Sequence, residues 1–224
     1  MKCAAGGART ALVTATRGER GKRGDPPICA PEDLPACRER ELQNAAAIIG
    51  FDELHLLNYR DQELPSAPPE EIRGALVSHI RRLRPSIVFT FDPNGFNVHP
   101  DHVAISRFVS DALAAAADPR WCPESGAAHL VSRLLWTPLY PPWDVAKFDN
   151  VAEHPSADFV LDISAWRDRK AAALRAHRTQ HLSINKYFFE QPNLDRVLST
   201  EVWRHAWGPP LHRRPAPDVL EGLS

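Results

Sequence analysis

The sequence predicts an α/β fold, a mostly parallel sheet with helices on both faces. Three observations carry that prediction. Strand-like and helix-like segments alternate as far as Ala117. The strand-like runs are short and almost continuously apolar, as expected where both faces of a sheet are covered. The helical segments between them are long enough for the right-handed crossovers that parallel strands require. With 224 residues, 43% hydrophobic and 25% charged, the chain can bury one substantial core. A single domain is expected over residues 1–207, followed by a Pro- and Arg-rich tail over 208–224 that lies on the surface or is disordered.

The elements follow in order. Met1 to Gly7 reads as the last turn of a helix closed by Gly6-Gly7, and in a βαβ unit such a helix would itself follow a strand. Thr10 to Thr14 is the first strand in the chain and runs into the polar turn Thr16 to Gly21. A helix from about Cys37 to Ile49 carries the apolar stripe Leu42, Ala45, Ala46, Ile49, and Gly50 supplies its left-handed cap. Arg38 stands one turn before Leu42 on that stripe, so it points to the rim of the core or into a cleft. Leu54 to Leu57 is the second strand, ending in Asn58-Tyr-Arg-Asp61. The next helix, Pro69 to Arg84, places Ile72, Leu76, Ile80 and Leu83 at helical spacing. Its end, Arg81-Arg-Leu-Arg84, reads as a solvated face that complements the helix dipole. Ser86 to Phe91 is a third strand, and the helix after Pro100 runs to Ala117. Beyond Asp118, strands are expected over Leu130–Trp136 and Phe159–Ile163, with Ser164 capping a helix that reaches His177.

A net charge of −1 gives no argument for nucleic acid or an anionic membrane as partner. No apolar run approaches the roughly 18 residues that a membrane span needs. Cys3, Cys29, Cys37 and Cys122 have no CxxC or zinc-ribbon spacing and read as reduced thiols in a cytoplasmic protein. Oligomeric state is left open, homo-oligomers included.

Asn94-Gly-Phe-Asn-Val-His-Pro-Asp-His102 carries the chemistry. It joins an apolar strand to a helix, the place where open α/β sheets put ligands and where free N–H groups and a positive dipole end are available. Pro100 suits the first turn of that helix. His99 and His102 then lie about one turn apart, with Asp101 near the positive end. A catalytic zinc takes three protein ligands and a water, so this segment alone is half of such a site. A helix-capping Asp and His pair explains the same residues equally well.

Phe91-Asp-Pro-Asn-Gly-Phe-Asn-Val-His-Pro-Asp-His102 resembles the second motif of the LmbE/PIG-L family of zinc-dependent N-acetylglucosaminyl deacetylases. Other segments agree in order: Leu12 to Gly21 resembles the family's second strand and Gly-Glu loop, Arg38-Glu-Arg-Glu-Leu42 its Arg-x-x-Glu-Leu helix, Asn58 to Asp61 the next strand end, and His177-Arg-Thr-Gln180 its C-terminal motif. The resemblance spans roughly residues 1–182 and implies a Rossmann-like, LmbE-like fold lacking its first strand. It implies that His102 is a zinc ligand, that His99 stabilises or protonates the tetrahedral intermediate, and that Asp101 orients or tunes His99. It further implies that Arg38 and Asp61 hydrogen-bond sugar hydroxyls. Asn97 stands where some relatives carry a tyrosine and is assigned to the substrate-binding set in its place.

The family's first motif, His-Pro-Asp-Asp-Glu, supplies the other zinc ligands and the aspartate base, and it is absent from these 224 residues. The resemblance places it a little upstream of Met1, so the chain is expected to be N-terminally incomplete, with weak zinc binding and little turnover. The leading reading is a zinc-dependent hydrolase that removes acetyl from an N-acetylglucosamine-type conjugate. The alternative is a family descendant without catalysis that acts as a sugar-binding or interaction module. A nucleotide-binding α/β domain ranks third, since the glycines after the first strand form neither GxGxxG nor a Walker motif. Among the remaining candidates, His177 and His181 share a helix spacing but no HExxH, and are read as structural or rim residues. Glu19 in the Gly-Glu turn is either a substrate contact or a plain turn residue. The tryptophans are read as core.

Overall fold

The computed structural model describes residues 1–223. In chain order its elements are α1 (Lys2–Ala5), β1 (Ala11–Thr16), α2 (Leu34–Ile49), β2 (Glu53–Tyr59), α3 (Pro69–Leu83), β3 (Ile87–Thr90), α4 (Gly95–Val98), α5 (Pro100–Ala117), β4 (Arg133–Trp136), β5 (Phe159–Asp162), α6 (Arg167–Ala176), α7 (His181–Ile184), α8 (Leu194–Ser199) and β6 (Thr200–Trp207). Short 3₁₀ and π turns join several of them. The architecture is the mixed α/β arrangement with parallel pairing that the alternation predicts.

The chain forms two compact units, each assembled from three stretches. The first comprises Met1–Gln62, Trp143–Phe148 and Asp162–Glu201; the second comprises Glu63–Pro142, Asp149–Leu161 and Val202–Ser224. In the first, β1 and β2 pair in parallel, Leu12 opposite Leu54 and Thr14 opposite Leu56. Helix α2 packs on α6 and buries Leu34, Ala45 and Ala46. It starts at Leu34, earlier than the apolar stripe indicates, because Pro35 fits its first turn. Gly50 ends it at φ 85°, a left-handed cap that glycine adopts without steric cost.

In the second unit α3 packs on α5, with Ile72, Val77, Ala112, Leu113 and Ala116 fully or almost fully buried. The second sheet has the order β3-β4-β6-β5. Its β3–β4 pair is parallel, Val88 opposite Leu134, whereas β4 and β6 run antiparallel, Trp136 opposite Arg204. The sheet is therefore mixed at its C-terminal strands, and β6 is a strand that the sequence pattern did not announce.

Three expectations need correction. Arg81 is not on a solvated face: it is 4% exposed, and its guanidinium donates to six main-chain carbonyls, of Ala115, Ala116, Asp118, Trp121, Cys122 and Gly126. The tail from Gly208 is not wholly superficial either. Ala216 and Val219 are buried, Ala216 exchanges main-chain bonds with Asp158 and Val160, and the fully buried Arg133 donates to the carbonyls of Val219 and Glu221. Buried main-chain groups need partners, and here the tail supplies them. Finally, Ser164 opens a 3₁₀ turn instead of capping α6; the Asp162 carboxylate accepts from the Ser164 N–H at 2.8 Å.

Candidate functional site

In the second unit the segment after β3 folds around Asp92, which is fully buried. Its carboxylate accepts from the N–H groups of Asn94, at 3.0 Å, and Phe96, at 2.5 Å, while its own N–H donates to Thr137 Oγ1 at 3.0 Å. This turn brings Gly95 against the start of α5. A Cβ on Gly95 would lie 2.7 Å from His102 Cβ and 2.9 Å from the Val103 nitrogen, and its φ is +65°. Only glycine fits without moving α5. Gly95→Ala is expected to lower stability by about 1–3 kcal/mol and to alter the His102 ring resonances, read by urea unfolding and NMR. An unshifted His102 would contradict the packing.

His102 Nδ1 lies 3.0 Å from Asn97 Oδ1 and 3.3 Å from the Gly95 carbonyl. Both are acceptors. The Asn97 assignment is supported by the His99 N–H, which donates to the same Oδ1 at 3.1 Å. Both contacts fit a proton on Nδ1, which in the neutral ring leaves the lone pair on Nε2, a tautomer that can bind a metal through that nitrogen. Its ring stacks on Phe91, centroids 4.0 Å apart and planes 6° apart, with Phe96 at 5.3 Å.

His99 is the N-cap of α5, its Nδ1 accepting from the Asp101 N–H at 3.2 Å. Its neutral ring thus holds the proton on Nε2. The Asp101 carboxylate is buried and accepts from the Leu64 N–H at 3.2 Å, so the hydrogen bond given to His99 comes from the Asp101 main chain. Phe96 and Val98, on either side of Asn97, hold φ of 46° and 54°, a region that non-glycine residues rarely occupy.

In the first unit a polar cluster surrounds Arg38 and Asp61. The Asp61 N–H donates to Glu19 Oε1 at 2.9 Å, and the Arg20 N–H donates to Asp61 Oδ2 at 3.0 Å. The Arg38 guanidinium lies against Gly18 and Gly21, where a Cβ would approach its nitrogens to 2.3 Å, and donates to the Lys22 carbonyl at 3.1 Å. Burial pulls the Arg38 pKa down against the opposing charges of Asp61 and Glu41. Two buried atoms of the cluster, Glu19 Oε2 and Arg38 Nε, have no hydrogen-bond partner among the described residues. Glu41 is buried too, and its carboxylate accepts from both the N–H and the Oγ1 of Thr179 at 2.7 Å. That bond joins two motifs which the sequence left apart.

His177 and His181 line a cavity of about 340 Å³ with Asp25, Ile28, Arg178 and Asn185. His181 Nδ1 lies 3.0 Å from the Arg178 carbonyl. Burial lowers the His177 pKa, with Arg38 adding to the shift and Glu41 opposing it; burial likewise lowers that of His205. Both histidines fold as neutral rings. Above an unfolded value of about 6.5 neither state is charged, and below it the unfolded chain takes the proton first. Stability is expected to fall as pH drops from 7 towards 5, and His177→Gln with His205→Gln to flatten that slope. Urea midpoints measured across this range check it, and an unchanged slope in the double variant refutes it.

Thus Asn97, His99, Asp101 and His102 come together in one unit, and Arg38 and Asp61 in the other. Asp92 stood in the sequence beside the two histidines, and Glu41 and Thr179 inside longer motifs, but none was given a role of its own. Asp92-Pro-Asn-Gly95 is a turn signal, and Glu41 stands one helical turn before the buried Ala45, so both left a trace. Among the described residues no group of three His, Cys, Asp or Glu side chains could hold a metal ion.

The model of a family described as PIG-L, GlcNAc-PI de-N-acetylase, matches residues 1–113. A probable N-acetyl-alpha-D-glucosaminyl L-malate deacetylase 2 of Bacillus anthracis is 42% identical over 103 residues, which cover 46% of this chain and 45% of that protein. A 1D-myo-inositol 2-acetamido-2-deoxy-alpha-D-glucopyranoside deacetylase of Geodermatophilus obscurus is 30% identical, covering 88% of this chain and 82% of the relative. Among solved structures, the conserved protein TT1542 from Thermus thermophilus superposes with a TM-score of 0.68 at 29% identity, covering 93% of this chain and 86% of that one.

Proposed function

We propose, on the premise that this chain belongs to the PIG-L family of deacetylases, that it is built to act on the N-acetyl amide of an N-acetylglucosamine-type conjugate in the cytoplasm. The observation that carries this reading is the His99–His102 turn, in which both imidazole rings are positioned by main-chain and Asn97 contacts. His99 presents an Nε2–H that can donate to an oxyanion or to the departing amine. Arg38 and Asp61 would hold sugar hydroxyls. The unpartnered Glu19 Oε2 and Arg38 Nε support a polar ligand there, since buried polar atoms seldom go without a hydrogen bond. Asn97 is assigned chiefly to positioning His102, alongside its substrate contact, and Asp101 to orienting His99 through its N–H.

Zinc is the metal we assign to the family chemistry, with His102 as one ligand. The described residues do not complete a catalytic metal site, so no step is derived through the metal. We expect this 224-residue chain to retain zinc well below one ion per chain and to turn over slowly. Metal analysis after dialysis against zinc, together with acetate release from N-acetylglucosamine conjugates, tests this. His102→Ala should lose the remaining zinc. Full zinc and full rate in that variant would refute the ligand assignment.

The incomplete donor set favours one second reading, a sugar-binding module without catalysis. Titration of N-acetylglucosamine by calorimetry, with Arg38→Gln as control, separates the two. Binding that is lost in the variant, with no acetate released at saturating zinc, selects the module.

A further inference from the structure

The polar cluster at Arg38 and Asp61 and the cavity at His177 and His181 lie at two ends of one loop. Gly18 and Gly21 rest on the Arg38 guanidinium, and the Lys22 carbonyl accepts from it at 3.1 Å. Gly24 rests on His181, where a Cβ would come within 3.1 Å of Cε1. Asp25, three residues beyond Lys22, already lines the cavity. Three residues of extended chain reach at most about 11 Å. The bonds from Thr179 to the Glu41 carboxylate, both 2.7 Å, tie the same places together again. Glu41 follows Arg38 by about one turn of α2, and Thr179 follows His177 by two residues. A conjugate whose sugar ring sits on Arg38 and Asp61 therefore has its other half within reach of the cavity.

The cavity lining favours one chemistry for that half. Ile28, Leu174 and Ile184 give it apolar walls, and its volume of about 340 Å³ is at the low end for small-molecule pockets. The guanidinium groups of Arg175 and Arg178 line it as well. Arg175 lies over the Phe189 ring at 4.3 Å, which fixes the cation and leaves its N–H edge open. Among the described residues neither arginine has a carboxylate partner. Facing them is one carboxylate, Asp25. Burial holds the His177 pKa below the ordinary histidine value, so that ring enters as a hydrogen-bonding group and not as a charge. Two cations against one anion leave an excess of one positive charge. A monoanion matches it. A polyol would meet apolar walls and leave the excess unmatched, and a phosphate dianion would overshoot it.

We propose, resting on the N-acetylglucosamine reading, that this cavity holds the aglycone of the conjugate and that the aglycone is a monocarboxylate with an apolar body. The carboxylate accepts hydrogen bonds from Arg178 and Arg175, and the body lies against Ile28, Leu174 and Ile184. The sugar cluster supplies recognition of the shared half of the conjugate, and the cavity supplies the choice among conjugates.

The full chain, labelled with ¹⁵N at histidine, is titrated with N-acetylglucosamine, its phenyl α-glycoside, its 4-carboxyphenyl α-glycoside, its 4-phosphonooxyphenyl α-glycoside and benzoate. Calorimetry gives affinities, and the His177 and His181 ring resonances report on the cavity. The carboxyphenyl glycoside should bind at least about fivefold more tightly than the phenyl glycoside, the size of a charge-assisted hydrogen bond. It should also move both histidine resonances. Arg175→Gln combined with Arg178→Gln should bring the two glycosides level, and Asp25→Asn should tighten the carboxylated one, an effect that loss of packing would not produce. Equal affinities in the wild type, a gain kept in the double arginine variant, a tighter phosphorylated glycoside, or unmoved histidine resonances would each overturn the proposal. If N-acetylglucosamine itself fails to bind, the sugar reading falls and the aglycone role with it. Benzoate then decides the rest: shifts at His177 and His181 that the arginine variant loses keep the carboxylate site, and no shift removes it.

Discussion

Arg81→Ala is expected to destabilise the second unit by about 3–5 kcal/mol, an effect of the size seen when a buried charge network is broken. The six acceptors that its guanidinium reaches are all main-chain carbonyls. Those of Ala115 and Ala116 belong to the last turn of α5 and those of Asp118, Trp121, Cys122 and Gly126 to the loop beyond it. The guanidinium therefore closes the C-terminus of α5, where a cation also meets the negative end of the dipole. Alanine would take a donor from all six carbonyls, leaving those of Ala115, Ala116, Asp118 and Cys122 with their main-chain donors alone and removing the guanidinium bonds to Trp121 and Gly126. Arg81→Lys keeps the charge but loses the planar fork, so it should recover only part of the loss. Urea unfolding of the three proteins checks the order, and a lysine variant as stable as the wild type would show that charge, not the fork, matters.

Glu41→Ala is expected to cost about 2–4 kcal/mol, because the buried Thr179 N–H loses its acceptor. Glu41→Gln should cost less, since the amide oxygen can still accept from that N–H. The two variants share a second readout. Glu41 opposes the downward shift of the His177 pKa, so removing its charge should drive the His177 titration lower still, followed by NMR. A drop in stability with the His177 titration unmoved would separate packing from charge and contradict the electrostatic coupling.

These two side chains also mark how far the sequence could be read. The long elements were legible: α3 and α5 have apolar stripes, Gly50 is a cap, and the apolar runs become β1, β2 and β3 within a residue or two. Arg81 was misread because the run of arginines at a helix end is commonly solvated. Its signal was Val77, one turn earlier and fully buried, which puts Arg81 on the inward face. Glu41 was hidden in the same way, sharing a face with Ala45. The antiparallel β6 was not legible because Thr200 to Trp207 runs in polar and apolar pairs, not in strict alternation; the buried tail was not, because a Pro- and Arg-rich sequence without periodicity does not tell which of its carbonyls will meet a buried arginine. At the candidate site the motif named the candidate residues, and the resemblance implied separate roles for His99 and His102. Which ring nitrogen faces which acceptor could not be read, since it depends on the fold of the turn.

Val98 is 77% exposed yet β-branched at φ 54°. A backbone of that shape costs of order 1–3 kcal/mol for such a residue. Laboratory selection for heat resistance should therefore converge on glycine, asparagine or aspartate at position 98, which tolerate the left-handed region better. The same exchange would slacken the turn that holds the two histidines in register. Improved melting temperature and histidine alignment thus pull in opposite directions at this one position, and winners of such a selection would be expected to carry broadened His99 and His102 resonances.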